Sequence, residues 1–378
     1  MVNFKLQNRL KLLDNLKVLE LASVLAGPSV GQFFAELGAD VIKVENIKVG
    51  GDVTRTWKSA NEKTDDRSAY FSCVNWGKRS LSIDLTSQEG RDIINKLITT
   101  TDIVIASYKH GDDRKLGVSY EDLSAINKKI IYGRVTGYGP LNDRVGYDAV
   151  LQAESGFMSL NGEENGPPIK MPVALIDVLA AHQLKEGLLV ALLRRERTGE
   201  GSLVDVSLIQ SAVSSLVNQA SNWLVGKTLP LRQGSLHPNI APYGEWFETR
   251  DGKKVLLAVG SDRQFGDLCD LLGIENKYVS NVERVRNRKE IGEKIGAKIK
   301  TRLFDDLSKE INRLKIPAGV IQDIKEVFEM PESKELLMSG DGLAGVRSFV
   351  ASSSHFPKKN LTPPPHLGQH NDEILSGL

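Results

Sequence analysis

Cysteine is nearly absent. Cys73 and Cys269 are the only two in 378 residues, too few for a disulfide framework. Their scarcity fits a reducing compartment, so the cytoplasm is the expected location. Long apolar runs are missing as well. No window approaches the roughly 18 apolar residues that span a bilayer. The segment Met1–Asn15 mixes Lys, Arg and Leu without the apolar core of a secretory signal. Charge of one sign is lacking: 49 basic and 48 acidic residues leave a formal charge of +1. Such a balance gives no global attraction to nucleic acid or to a membrane surface, and neither is expected as a partner. It leaves room for a local basic pocket around a phosphorylated ligand.

Some motifs are missing too. No G-x-G-x-x-G follows the first apolar strand and no Walker A sequence occurs, which removes the usual support for nicotinamide or nucleoside-triphosphate chemistry. Six histidines are present, His110, His182, His237, His355, His366 and His370. None has zinc-motif spacing and no cysteine joins them, so no metal is expected.

What is present reads as alternating strands and helices. Leu16–Ser23 has the apolar texture of a buried strand, Gly31–Gly38 that of a short glycine-stopped helix, and Ala39–Glu45 that of a second buried strand. Arg79–Leu85 alternates as a strand, and Thr86 or Ser87 can cap a helix running to about Thr99. Asp102–Ala106 is a strand again. Ser119 can cap the helix before Ile130–Thr136. Short apolar strands separated by helices predict an α/β fold with a parallel, doubly wound sheet. Ala180–Arg197 is a long helical pattern with an apolar face, ended by Thr198-Gly199-Glu200-Gly201, and Val204–Ile209 returns to strand-like character. Beyond about Gly234 the texture changes. Tyr243–Thr249 and Lys254–Val259 predict antiparallel strands around Asp251-Gly252, and Arg263–Leu314 is helical and highly charged. The expected organisation is a large domain over 1–225, a small α+β domain over 226–325, and a return segment over 326–378 that completes the large domain. Pro363-Pro364-Pro365 is a stiff extended stretch.

Gly27-Pro28-Ser29-Val30-Gly31 matches the G-x-S-x-G nucleophile elbow and lies between a strand and a helix. The hydrolase fold needs several strands and an oxyanion loop upstream of its serine, and a single strand precedes Ser29. A loop that brings backbone close to a ligand is the better expectation.

Several segments carry a resemblance. Ala26-Gly27-Pro28 is followed by Leu37-Gly38-Ala39-Asp40-Val41-Ile42-Lys43-Val44-Glu45, then Gly51-Asp52-Val53-Thr54-Arg55 and Asn75-Trp76-Gly77-Lys78-Arg79-Ser80. Thr136-Gly137-Tyr138-Gly139 and Gly146-Tyr147-Asp148 come next. Asp177, Arg195–Gly201, Val204–Leu208, His237-Pro238, Ile316–Val320 and Pro364–His370 complete the series. In this order they resemble the family III CoA transferases, the CaiB/BaiF-like group of formyl-CoA and carnitine-CoA transferases. The resemblance implies a Rossmann-like large domain, a small domain, and an obligate homodimer of two chains threaded through each other as interlocked rings. It implies acyl-CoA and small carboxylate substrates and no tightly bound cofactor.

It also implies covalent chemistry. A carboxylate nucleophile can hold an acyl group while CoA changes partner. Asp177 matches the family aspartate, which forms a mixed anhydride with the acyl group and then an aspartyl-CoA thioester. An apolar strand is expected to deliver Asp177 to the start of a helix, where the dipole favours the ionised form; the same position suits a helix N-cap. By the same match, Val24 and Leu25 should lie along the CoA, and Arg55, Lys78, Arg79, Lys109 and Arg114 are candidates for its phosphates. Ser107-Tyr108-Lys109-His110-Gly111 lacks the asparagine and proline of the family's N-F-[RK]-P-G segment.

Related α-methylacyl-CoA racemases use a histidine in a G-H-D segment for proton transfer. This chain has Tyr147 there. A phenol with a pKa near 10 is a poor proton shuttle, so transfer is favoured over a racemase-like isomerase. Tyr147 is expected to line the pocket or to serve the core. Gln233–Pro238 matches the glycine-rich loop of formyl-CoA transferases but keeps one glycine, and His237 can contact an acceptor carboxylate or fix the loop. Many relatives with the tyrosine use succinyl-CoA and small dicarboxylates, the expected donor and acceptor class.

Overall fold

The computed structural model describes residues 13–353 and 360–378, so most of Met1–Asn15, and His355, lie outside the described residues. The described chain gathers into two compact units. One holds the residues up to Ser155 with Met171–Val217 and Glu335–Leu378; the other holds Gly156–Lys170 and Asn218–Lys334.

The first unit is built on six parallel strands, β1 (Lys17–Leu21), β2 (Asp40–Asn46), β3 (Lys78–Ile83), β4 (Ile103–Ala106), β5 (Ile131–Thr136) and β6 (Ser202–Ser207). Their order is β3-β2-β1-β4-β5-β6, the doubly wound order in which ligands sit beyond the carboxyl ends of the strands where the winding reverses. Here the reversal falls between β1 and β4, paired Val18 to Ile103 and Leu21 to Ala106. Helices cover both faces, so the strands are buried on each, and one face carries the buried charged side chains Glu20, Lys43 and Glu45. Leu19, Leu81, Val104 and Tyr132 are fully buried in one shared core with Ile94, Ile98 and Leu123.

Helix α1 (Ala26–Glu36) starts five residues before the expected Gly31. The Gly-Pro-Ser-Val-Gly stretch is therefore helix rather than the expected loop. Its glycines serve packing: a Cβ on Gly27 would meet the Ala22 Cβ at 2.3 Å, and one on Gly31 would meet a Glu20 carboxylate oxygen at 1.8 Å. Ser29 is buried in the helix body. Ser87 caps α2 (Gln88–Ile98) by accepting from the Gly90 amide.

β3 is an edge strand, and the C-terminal segment covers it. Ser80 and Ser82 amides donate to His370 Nδ1 and Asn371 Oδ1, and the Ser80 hydroxyl accepts from the Gly368 amide. Pairing an edge with chain of its own removes a template for aggregation. This is the structural use of the Pro364–His370 motif.

In the second unit β7 (Tyr243–Glu248) and β8 (Lys254–Ala258) form the expected hairpin, with β9 (Ala318–Val320) antiparallel to β8. Helices including Asp262–Leu272, Arg288–Ile299 and Phe304–Leu314 bury Leu268, Ile295 and Leu307 against this sheet.

Candidate active site

A cavity of about 280 Å³ opens beyond the carboxyl ends of β1, β4 and β5. Ser23–Gly27 follow β1, Ser107–Lys109 follow β4, and Val135–Gly137 end β5. Asn142, Arg144–Asp148, Asp177 and Leu208 close the wall. The strand order alone puts a cavity there.

Asp177 lies in the first turn of α4 (Leu175–Thr198), a helix that begins five residues before the expected Ala180. No strand delivers it; the preceding Pro172-Val173-Ala174 is irregular. Nor is it the N-cap, which is Ala174 with no capping side chain; Asp177 is the third helical residue. The missing cap is supplied from elsewhere. Asp148 begins α3 (Asp148–Glu154), and its Oδ1 accepts the Ile176 amide at 2.7 Å. Asp148 Oδ2 accepts from Gln152 Nε2 at 2.6 Å. The Gln152 amide also binds the approach to α4, accepting from the Met171 amide at 2.8 Å and donating to the carbonyls of Met171 and Val173.

The Asp177 side chain is only 9% exposed, yet it reaches the cavity. Among the described residues its carboxylate has no hydrogen-bond partner. Burial, with the neighbouring Asp148 charge added, pushes its pKa up to about 7. The helix N-terminus was expected to favour the anion; desolvation and a like charge outweigh it. Tyr70, packed edge-on to Trp57, feels Asp177 in turn: burial, then the Asp177 charge, pushes its phenol up to about 12.

The turn after β1 is held under strain. Val24 adopts a φ of +73°, a region costly for a β-branched residue. Its amide donates to both oxygens of Asp52, at 3.2 and 3.3 Å. Asp52 is in turn ion-paired to Lys43 at 2.9 Å, and Lys43 to Glu20 at 3.0 Å. Burial pulls the Lys43 ammonium down, but the surrounding carboxylates outweigh it and hold it well above its ordinary value. The G-D-V-T-R segment thus shapes the cavity floor from behind.

The candidate phosphate ligands separate. Lys109 lines the cavity, and among the described residues its ammonium makes no hydrogen bond or ion pair. Val24 and Leu25 line it as well, as does Tyr147, which is 56% exposed. Arg55 is elsewhere, buried and forked onto Glu45 at 2.7 and 2.8 Å. Lys78 is buried against Glu20 at 2.7 Å, and burial pushes its ammonium down to about 8. Arg79 pairs with Asp40 at the amino ends of the strands, opposite the cavity. Arg114 stands exposed on the surface helix Asp112–Leu116, 3.8 Å from Glu121. The structure therefore gathers Val24, Leu25, Lys109, Tyr147 and Asp177, and leaves Arg55, Lys78, Arg79 and Arg114 outside the cavity wall. His237 lies in the second unit. Its Nδ1 accepts from the Asn239 amide, its ring packs edge-on to Tyr243, and its carbonyl accepts from Arg288; these contacts fix its own loop.

Asp148, Gln152 and Asp52 are the site-shaping residues that reading the sequence did not single out. Asp148 and Asp52 were visible inside quoted motifs. Gln152 carries no motif, and only its burial reveals it.

Fold and cavity together define an α/β enzyme with a buried carboxylate at the strand switch point. Residues 13–371 match the model of CoA-transferase family III, and the chain belongs to that family and is an enzyme that transfers CoA. It is 38% identical over 390 aligned residues to the succinate–glutarate CoA-transferase of Agrobacterium fabrum, covering 98% of this chain and 96% of that one. It is 34% identical to the human succinyl-CoA:glutarate CoA-transferase, covering 97% of this chain and 86% of the other. Among solved structures it resembles a CaiB/BaiF family protein from Brucella suis, with a TM-score of 0.84 at 37% identity, covering 98% of this chain and all of that one.

Proposed function

We propose that the chain moves CoA from succinyl-CoA to a small dicarboxylic acid of the glutarate class, with Asp177 as covalent relay. One observation carries this reading: a buried carboxylate with no partner stands in the cavity wall at the switch point. The substrate names of the two relatives support the donor and acceptor.

In the first step an Asp177 oxygen attacks the thioester carbonyl. The C–S bond breaks, leaving a mixed anhydride and CoA thiolate. The thiolate then attacks the aspartyl carbonyl, and the donor acid departs as its carboxylate. The acceptor carboxylate attacks the resulting aspartyl thioester and releases the thiolate again. Attack of that thiolate on the acceptor acyl carbon forms the new thioester and frees Asp177. No net proton is exchanged, so the site needs an ionised nucleophile and exclusion of water rather than an acid–base pair. Among the described residues no histidine lines the cavity, and Tyr147 stands where the racemases have theirs, which supports transfer over isomerisation.

For the CoA phosphates Lys109 is the best-supported contact, being, among the described residues, the cation on this cavity without a carboxylate partner; Val24 and Leu25 offer backbone beside it. The chain works as an interlocked homodimer, with 1–225 and 326–378 forming the large domain and 226–325 the small one. Exposed Val190 and Leu193 on α4, and Trp223, Leu224 and Val225 after it, support a partner surface. The expected location remains the cytoplasm, and no tightly bound cofactor is invoked.

The test is mass spectrometry of the protein mixed with succinyl-CoA. A CoA adduct on the peptide holding Asp177, trapped as a hydroxamate by hydroxylamine, is the expected result. Formation of glutaryl-CoA by the Asp177→Asn protein would sink the proposal.

A further inference from the structure

Among the described residues α4 receives no capping side chain from its own N-cap position, and the first turn of a helix leaves amides to be satisfied. In this protein the satisfaction comes from α3. Asp148 accepts the Ile176 amide, one residue before Asp177. Gln152 is 1% exposed and its amide is fully engaged: Oε1 takes the Met171 amide, and Nε2 faces Asp148 Oδ2 and the Met171 and Val173 carbonyls. The Met171 contact fixes which way the amide points, so Nε2 must face Asp148. A glutamine buried this completely is costly to leave unpaired; three of its side-chain bonds go to the Met171–Val173 approach to α4, and the fourth holds Asp148, which caps that helix.

We propose that Gln152 and Asp148 act as a positioning pair that fixes the first turn of α4 and so aims Asp177 into the cavity. The inference rests on Asp177 being the nucleophile. Attack on a thioester carbonyl tolerates little displacement of the nucleophile; a shift near 1 Å can cost about a hundredfold in rate. The pair also sets the electrostatics. Asp148, holding two donors, keeps its carboxylate beside Asp177, and that neighbouring charge adds to burial in raising the Asp177 carboxyl. The other titratable group facing Asp177 is Tyr70. The remaining ionisable side chains on the cavity wall are Tyr108, Lys109, Arg144 and Tyr147. The helix Leu208–Ser214, which also packs on α4, carries no ionisable side chain.

The experiment uses full-length protein with succinyl-CoA and glutarate. Gln152→Met keeps the volume and removes every bond; Asp148→Asn keeps the acceptor for Ile176 and removes the charge. Gln152→Met is expected to slow formation of the Asp177 adduct at least about tenfold in a single turnover, with KM for succinyl-CoA within about twofold. Asp148→Asn is expected to move the acid limb of kcat/KM down by about one pH unit. A merely structural pair would lower the melting temperature and leave that limb in place. Wild-type adduct rate in folded Gln152→Met, or an unmoved acid limb in Asp148→Asn, overturns the proposal. Should Gln152→Met not fold, the Asp148→Asn profile decides. Asp177→Asn serves as the control. If it turns over, there is no nucleophile to aim and both readings fall. If it is dead while the Asp148→Asn limb is unmoved, only the positioning pair falls.

Discussion

Gly137 and Gly146 face each other with no space for a side chain on either. A Cβ on Gly137 would lie 2.7 Å from the Gly146 Cα, and one on Gly146 would lie 2.4 Å from the Gly137 Cα. The T-G-Y-G and G-Y-D motifs are thus two halves of one close backbone contact, which holds Tyr147 and Asp148 at the end of β5. Gly146→Ala must push these strands of backbone apart. The expected outcome is at least a tenfold fall in kcat/KM, with a loss of about 1–3 kcal/mol in stability as for other overpacked sites. Denaturant unfolding and steady-state kinetics check both numbers.

Burial of Asp177 makes the stability of the protein depend on pH. Its carboxyl titrates near 7 in the folded protein against an ordinary value of 3.8. A raised acid pKa makes ionisation costly to the fold. The cost is absent below about pH 4, grows as pH rises toward 7, and is constant above. Asp177→Asn removes it. The variant should be inactive, yet more stable than the parent by on the order of 2–4 kcal/mol at pH 8, with the gain gone at pH 4. Melting curves of both proteins at the two pH values test this; equal stability at pH 8 would show that the carboxyl titrates normally.

Asp52 anchors both Val24 and Lys43. Removing it leaves a buried ammonium with a diminished set of carboxylates and releases the strained turn. Asp52→Ala is expected to cost about 3–5 kcal/mol, the range for breaking one side of a buried ion pair. Chemical denaturation measures it. A loss under about 1 kcal/mol would mean that Glu20 alone satisfies Lys43.

Lys109 is free to meet a phosphate. Lys109→Ala should raise KM for acyl-CoA about tenfold while leaving kcat within about twofold, because a charge-assisted bond made equally in ground and transition states is uniform binding. Added salt should weaken binding by the parent more than by the variant. The same variant with unchanged KM would move the phosphate contact elsewhere.

The apolar run Ile103–Ala106 declared a central strand of the parallel sheet, because burial on both faces favours apolar residues, whereas Val18–Leu21 is apolar except for the buried, ion-paired Glu20. The basic residues of the quoted motifs were less readable. Arg55, Lys78 and Arg79 sit in conspicuous segments, but their charges are met by Glu45, Glu20 and Asp40 from other strands. A sequence shows that a cation exists, not which carboxylate has already neutralised it. Gly31 misled for a similar reason: a glycine that admits a ligand and one that admits a neighbouring strand, here Glu20 of β1, look the same until the neighbour is placed.

The sequence by itself determined the alternating α/β order, the family to which the chain belongs, and Asp177 as the carboxylate to watch, since periodicity and ordered motifs are properties of the chain alone. Only the tertiary structure decided what surrounds that carboxylate. Helix α4 begins at Leu175, Asp148 caps it, Gln152 latches its approach, and burial raises Asp177 toward neutrality. Each of these depends on desolvation and on contacts between distant segments, and neither exists until the chain has folded.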